Sequence, residues 1–362
     1  MAEDDCTPSS LNTAVFVSRI NEDRSALCML VIATACSLGV FAQGFVQFYY
    51  VWRYLTHPWI RGNIAFLVAL FPICTACSIV AMYVPTAGNL LFTFSYSYAI
   101  ICLYRLVSVI KDSFGSWEAA SASLYRSGTR IHFRVAPVCC CIPCLPTVEP
   151  SVRNLRILDM ITLQGPIFRI LVMVVNFTLQ TETVDLMQLW FPISTGIVTG
   201  SLLLSVFSCH ALCKLSLEKL GPFRFHVIYR IVDTTQAFYG LQSLVLYGIA
   251  AGGKMPCGVL LTPTDKVFWY NHFMLICECF LLQIIITLTV NPWNSTMFDL
   301  HPDSHETALE IGQYAECRRC TVANITVERK VGFMDDCGSH CSSEARSISE
   351  ASQQIQTADV HM

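Results

Sequence analysis

The sequence predicts an all-α, polytopic membrane protein of seven transmembrane helices, with the N-terminus outside and the C-terminus cytosolic. Three observations predict it. Seven long apolar stretches divide the chain, at roughly 26–50, 64–84, 88–110, 157–180, 186–209, 225–250 and 267–290. Each is close to the ~20 residues an α-helix needs to cross about 30 Å of hydrocarbon. Hydrophobic residues are 54% of the chain and charged residues 14%, against about 25% charged in a soluble domain. The third observation is the distribution of Lys and Arg. With the N-terminus outside, sixteen of the 23 fall in cytosolic segments, four outside and three within helices. The reverse orientation would invert that bias.

Taken in order, residues 1–25 are acidic at Glu3, Asp4, Asp5, Glu22 and Asp23, and form an external N-terminus. No cleavable signal peptide is visible, because the flanks are acidic and the first apolar run is too long for an h-region. Stretches one, two and five contain no charged residue, as expected of helices with no face in water. The membrane domain covers 26–290. A cytosolic, Cys-rich loop spans 111–156, and a cytosolic tail of 291–362 is expected to be partly disordered, since it gains Ser, Glu and Gln near its end. The sequons at Asn294 and Asn324 lie on the cytosolic side, and Asn176 lies inside a helix. None is expected to be glycosylated.

Within the loop, Arg126, Arg130 and Arg134 recur every four residues and would form one basic stripe on a helix. Phe114, Trp117 and Leu124 would dip into the interface, and the stripe would face anionic headgroups of membrane lipids. An ordinary solvated helix is the plainer reading. Cys139, Cys140, Cys141 and Cys144 follow. Four thiols at a basic surface in a reducing cytosol point to S-palmitoylation rather than disulfides. Half of a zinc site with His132, or inert thiols, are the alternatives. In the tail, Cys317, Cys320, Cys337 and Cys341, with His340 beside the last, have spacing similar to a zinc ribbon. Unstructured or lipidated cysteines compete with that reading.

Intramembrane polar residues are candidates for function by default. On the sixth stretch His226, Tyr229, Asp233, Gln236, Gly240, Ser243 and Tyr247 alternate spacings of three and four, so they share a helix face. Such a face suits a hydrated path or an amphipathic ligand, or else interhelical hydrogen bonds with Gly240 at a close approach. The fourth stretch carries Thr162, Gly165, Pro166, Arg169 and Asn176, and a kink is expected at Pro166. Glu278 lies on the seventh. A pair between Arg169 and Glu278 or Asp233 is the simplest way to neutralise the guanidinium. In the alternative, Arg169 attracts an anionic solute. The substrate path is thus expected along Arg169, Tyr229, Asp233, Gln236, Ser243 and Glu278.

Several classes are excluded. A net charge of −3 gives no basic excess for nucleic acid. There is no Walker A motif, no H-E-x-x-H, no G-x-S-x-G and no intramembrane histidine cluster. No enzyme and no cofactor are expected.

Three segments carry a resemblance. One is the run Cys139 to Cys144 followed by Leu163-Gln164-Gly165-Pro166. The others are Ala251-Gly252-Gly253-Lys254-Met255-Pro256-Cys257 and Asn271-His272-Phe273-Met274-Leu275-Ile276-Cys277-Glu278. Together they resemble the organic solute transporter alpha-subunit family, over about 26–290; the tail departs from it. The resemblance implies a plasma-membrane protein moving amphipathic organic anions such as bile acids and steroid sulfates. It implies facilitated, bidirectional transport independent of sodium or ATP, with a single-span beta subunit as a partner. A seven-helix receptor and a non-transporting scaffold or trafficking protein are the alternatives. Against the receptor, the long cytosolic loop is the third, and Leu103-Tyr104-Arg105-Leu106 lacks an acidic neighbour. Oligomeric state is left open.

Overall fold

Long helices follow directly from the charge-free runs, because inside hydrocarbon every backbone amide must be paired within its own segment. The structure is a computed structural model that describes residues 13–133, 147–182, 184–253, 261 and 263–300. The helices are α1 (Thr13–Arg19), α2 (Arg24–Tyr54), α3 (Pro58–Val68), α4 (Leu70–Tyr83), α5 (Gly88–Phe114), α6 (Trp117–Arg126) and α7 (Val152–Glu182). They continue as α8 (Val184–Leu220), α9 (Phe225–Ala237), α10 (Ser243–Ala251) and α11 (Pro263–Thr289). A π-turn, Phe238–Gln242, joins α9 to α10. The loop before α7 holds a small antiparallel ribbon, β1 (Ile131–His132) with β2 (Thr147–Val148), in which Ile131 faces Val148.

The described residues are all-α apart from that ribbon. Six helical segments are long and apolar enough to cross a membrane, with α3 and α4 counting as one segment, Pro58–Tyr83. The sixth predicted stretch is not among them, because the π-turn splits it into shorter helices. Large apolar side chains cover the outside, among them Leu38, Phe45, Met160, Leu244 and Leu288. So much exposed hydrocarbon fits a lipid surrounding rather than water.

At the centre stands α5, whose span is 56% buried against 28% for α2, α7 and α11. It packs on α3, α4, α7, α8, α9 and α11. Ala99, Ile100, Cys102, Leu103, Leu106 and Val107 form its sealed core. The tightest helix pair is α7 with α8, and small polar residues line the crossing. Ser208 Oγ donates to the Leu158 carbonyl at 2.6 Å, and Ser205 Oγ to that of Ile161 at 3.2 Å. Small residues allow the backbones this approach, and the hydroxyls satisfy themselves on carbonyls. Pro166 does not end α7, which runs on to Glu182.

Hydrogen bonds identify the two ends of the bundle. After α11, residues 291–300 form a strap that ties two earlier loops together. Thr296 N–H donates to the Pro222 carbonyl at 3.4 Å, and Leu300 N–H to that of Tyr54 at 3.1 Å. Asp299 accepts from the Thr56 amide at 3.0 Å and from its hydroxyl. Arg224 Nε donates to the Asn294 carbonyl at 3.2 Å. The turns after α2, after α8 and after α11 therefore lie at one end. It follows that the segment from α9 to α10 runs up the bundle and α11 returns. At the other end Trp269 Nε1 donates to the Met82 carbonyl at 3.2 Å.

Two expectations for the loop before α7 are corrected. Trp117 and Leu124 are buried in the protein core rather than set in the interface, because α6 lies on α5 and α7. Trp117 Nε1 donates to Asp159 Oδ2 at 3.0 Å. No basic stripe forms either. The helix ends at Arg126, and Gly128, at φ +68°, turns the chain so that Arg130 lies beyond the helix. Arg134 lies outside the described residues.

Asp23 caps α2. Its Oδ1 accepts from Ser25 N at 3.0 Å, Ala26 N at 3.2 Å and Ser25 Oγ at 2.6 Å. The Ser25 hydroxyl first, and then the Ala26 amide, hold its carboxyl below the ordinary value of 3.8. A folded value below the unfolded one means stability that is present above pH 3.8 and lost as pH falls through the folded value. Asp23→Ala should cost about 1 kcal/mol at neutral pH. Thermal unfolding in detergent checks this: the gap between wild type and variant should close below about pH 3.8.

Candidate functional site

Arg169 sits 17 positions beyond Val152, about 25 Å along α7 at 1.5 Å per residue. Its guanidinium carbon lies 4.2 Å from the centroid of the Tyr96 ring on α5. The Tyr96 ring stacks in turn on Tyr239 of the π-turn, with centroids 4.9 Å apart and planes 8° from parallel. One ring face cannot hold both neighbours at such distances. Tyr96 is therefore sandwiched, and three segments meet at this stack. Arg169 Nε is buried and has no hydrogen-bond partner among the described residues.

The expected ion pair is not formed. Among the described residues neither Asp233 nor Glu278 pairs with Arg169. Each carboxylate is turned to another group instead: Asp233 to His210 of α8, and Glu278 to Gln242 of the π-turn. A cation–π contact returns about 0.5–2 kcal/mol, against a burial penalty of several kcal/mol for a fully buried ion.

The carboxylates have other partners. Asp233 Oδ2 lies 3.3 Å from His210 Nε2 on α8. The His210 ring meets Tyr229 edge-on at 5.0 Å and 87°. With its amide nitrogen turned to the carboxylate, Gln242 donates to Glu278 at 3.2 and 3.0 Å. Asn271 Nδ2 donates to Ser243 Oγ at 3.2 Å, and Ser243 donates to the Tyr239 carbonyl at 2.6 Å.

Gln236 is 3% exposed, and among the described residues neither amide atom has a partner; the buried Tyr229 hydroxyl also lacks one there. An unmet buried amide costs about 1–3 kcal/mol. Five of the six predicted residues thus fall into three groups, and Gln236 lies on α9 between the His210 cluster and the π-turn.

Of the predicted polar face, Tyr229 and Gln236 are buried, Asp233, Gly240, Ser243 and Tyr247 are half-buried and His226 is exposed; the apolar Ile228, Ile231 and Val232 of α9 are buried as well, while Leu241, Leu244, Val245 and Ile249 beyond them point outward. Sequence reasoning missed Tyr96, Tyr239 and His210. Tyr96 had a signal, a hydroxylated ring in Ser95-Tyr96-Ser97 within an apolar span. Tyr239 had none, because the π-turn adds a residue and moves it onto the inner face.

His272 is structural. Its Nε2 lies 3.0 Å from the Gly88 carbonyl, which only accepts, so Nε2 carries the proton and Nδ1 accepts from Ser78 Oγ at 3.1 Å. Cys139, Cys140, Cys141 and Cys144 lie outside the described residues, as do Cys317, Cys320, Cys337, His340 and Cys341. Among the described residues no group of three His, Cys, Asp or Glu side chains is placed to hold a metal.

Residues 29–294 match the family model for the organic solute transporter Ostalpha. The chain belongs to that family. Among its relatives, organic solute transporter alpha-like protein 3 of Caenorhabditis elegans is 28% identical over 80% of this chain and 83% of its own length. The alpha-like protein 1 of the same organism is 30% identical over 77% of this chain and 73% of its own. Organic solute transporter subunit alpha of Bos taurus is 23% identical over 72% and 77%. No solved structure matches. The Ostalpha match contains Gln236 and the residues of the groups above, from Tyr96 to Glu278. It ends at Asn294, within the strap, and does not reach the tail cysteines.

Proposed function

We propose that this chain is an equilibrative carrier of amphipathic organic anions, such as bile acids, steroid sulfates or related lipids, in the plasma membrane. The observation that carries the reading is the half-buried Arg169, stacked on Tyr96 with its Nε sealed and unmet and, among the described residues, no carboxylate paired with it. Such a cation offers an anion both charge and directed hydrogen bonds. Gln236 would receive a hydroxyl or keto group, and the surrounding Tyr, Leu and Ile surface a rigid apolar body. Asp233, Tyr229 and Ser243 line the route, and Glu278 sets its charge balance.

In this proposal the chain crosses the membrane seven times, N-terminus outside. The strap supports it, since the α9–α10 segment and α11 must traverse the bundle in opposite directions for residues 296 and 222 to meet. The Lys and Arg bias then puts the strap end in the cytosol. Transport is driven by the solute gradient, with neither sodium nor ATP. A single-span beta subunit is the proposed partner, and the relative named a subunit in Bos taurus supports looking for one.

Passage needs an opening. Beneath the strap, Gln47, Leu67, Phe71, Val232, Ile286 and Phe298 surround a pocket of only about 30 Å³. Drug-sized ligands occupy roughly 300 Å³ or more. We expect a Thr56→Cys/Asp299→Cys pair, once oxidised, to cut flux at least about fivefold and reductant to restore it. Unchanged flux across a complete cross-link would exclude the strap as a moving part. The function itself is tested by expressing the chain with and without a single-span partner and following labelled steroid sulfate in both directions. Symmetric flux without a sodium gradient supports the carrier. Ligand-dependent G-protein signalling with no flux supports a receptor.

A further inference from the structure

A groove of about 870 Å³ opens on the outer surface where α7 leaves the loop and passes α8. Its walls are Arg153, Arg156, Ile157, Met160, Ile161 and Leu204, with Gln164 at the deep end. Met160 and Leu204 are exposed, so the groove opens sideways. It lies apart from the interior stack and shares no residue with it.

The chemistry changes along its length. The first two turns of α7 supply two arginines, Arg153 and Arg156, at one end. Ile157, Met160 and Ile161 then follow at helical spacing as a purely apolar wall. Gln164 is already satisfied: its Nε2 donates to the Ser201 carbonyl at 3.2 Å, and its Oε1 accepts from Ser201 Oγ at 3.3 Å. The deep end thus offers no unmet polar group for the hydroxyl of a steroid, and an acyl chain needs none. At the mouth, Glu118 of α6 pairs with Arg156. Asp159 is turned to Trp117 on the side of α6. Arg153 is exposed and has no ion pair among the described residues. The ionisable residues lining the groove are all cationic.

We propose that an acidic phospholipid of the surrounding leaflet binds here, its phosphate on Arg153 and Arg156 and an acyl chain along Ile157, Met160 and Leu204. The site is separate from Arg169 and stands whether or not the chain carries anions. Glu118 limits it by occupying one edge of Arg156.

The test uses the full chain, purified and exchanged into nanodiscs holding phosphatidylserine and phosphatidylcholine at one to one, with bound lipid read by native mass spectrometry. Wild type should hold phosphatidylserine over phosphatidylcholine by about tenfold, as expected for two cations at an anionic headgroup. Arg153→Ala/Arg156→Ala should bring the ratio to within about twofold, whereas Arg153→Lys/Arg156→Lys keeps it. Glu118→Gln, which frees Arg156 without touching the groove, should raise the ratio further. Equal retention of both lipids, or an unchanged ratio in the alanine pair with its melting temperature preserved, overturns the proposal. So does one-for-one displacement of phosphatidylserine by steroid sulfate, which would make the groove a solute site.

Discussion

Arg169→Ala should lower organic-anion uptake by about ten- to a hundredfold with surface expression intact. The size follows from what the guanidinium would give a bound anion: a charge-assisted hydrogen bond worth about 1.5–3 kcal/mol in a site with no competing carboxylate. Arg169→Lys should keep part of the flux. Lysine keeps the charge but loses the planar fork that both stacks on Tyr96 and directs its donors. Because Arg169 has no ionic partner among the described residues, its removal leaves none of their carboxylates unpaired and the fold should survive. Tyr96→Ala should follow Arg169→Ala in direction, since the ring positions the guanidinium. Labelled steroid sulfate uptake, normalised to biotinylated surface protein, measures all three. Wild-type rates in Arg169→Ala would remove the cation from the route.

Gly165→Val should have the largest effect on folding. A Cβ added at Gly165 would run into the Ser205 hydroxyl, and it would lie 3.1 Å from Ser205 Cβ and 3.6 Å from Ile100 Cγ2. Three helices meet there, and α5 is the immovable one at the centre. Ser205 cannot turn away freely, because its hydroxyl bonds the carbonyls of Ile161 and Ser201 at 3.2 and 3.0 Å. Overpacking of a closed contact costs about 1–3 kcal/mol for a small addition, and a branched side chain adds more. Gly165→Ala should lower the melting temperature in detergent, and Gly165→Ala/Ser205→Gly should recover most of the loss. Failure of the second change to rescue would mean that the crossing is looser than the geometry states.

Six of the seven predicted stretches were legible as long apolar helices because hydrocarbon tolerates few alternatives: charge-free runs such as 26–50 favour a helix. The burial of Tyr229 and Gln236 was less so, since the apolar Ile228, Ile231 and Val232 of the same helix are buried with them. The partners of the carboxylates were harder, because Asp233 turns to His210 and Glu278 to Gln242, contacts across the bundle that compete with Arg169. Local insertions were harder still. A π-turn adds one residue without a Pro or Gly rule to announce it, and it moved Tyr239 under Tyr96. Repeats of four also mislead at a helix end, as Arg126 and Arg130 show on either side of Gly128. Pairings such as His210 with Asp233 join distant parts of the chain, and no spacing encodes them.

The central claim is that solute crosses through the bundle down its own gradient, past Arg169. Counterflow in sealed liposomes, with the purified chain and its single-span partner if one is required, tests this most directly. Liposomes preloaded with unlabelled steroid sulfate, with sodium equal across the membrane and no ATP, should accumulate the external label transiently. The overshoot should be matched in the opposite direction and abolished in Arg169→Ala. No overshoot from correctly folded protein, or one identical in wild type and variant, would contradict the account.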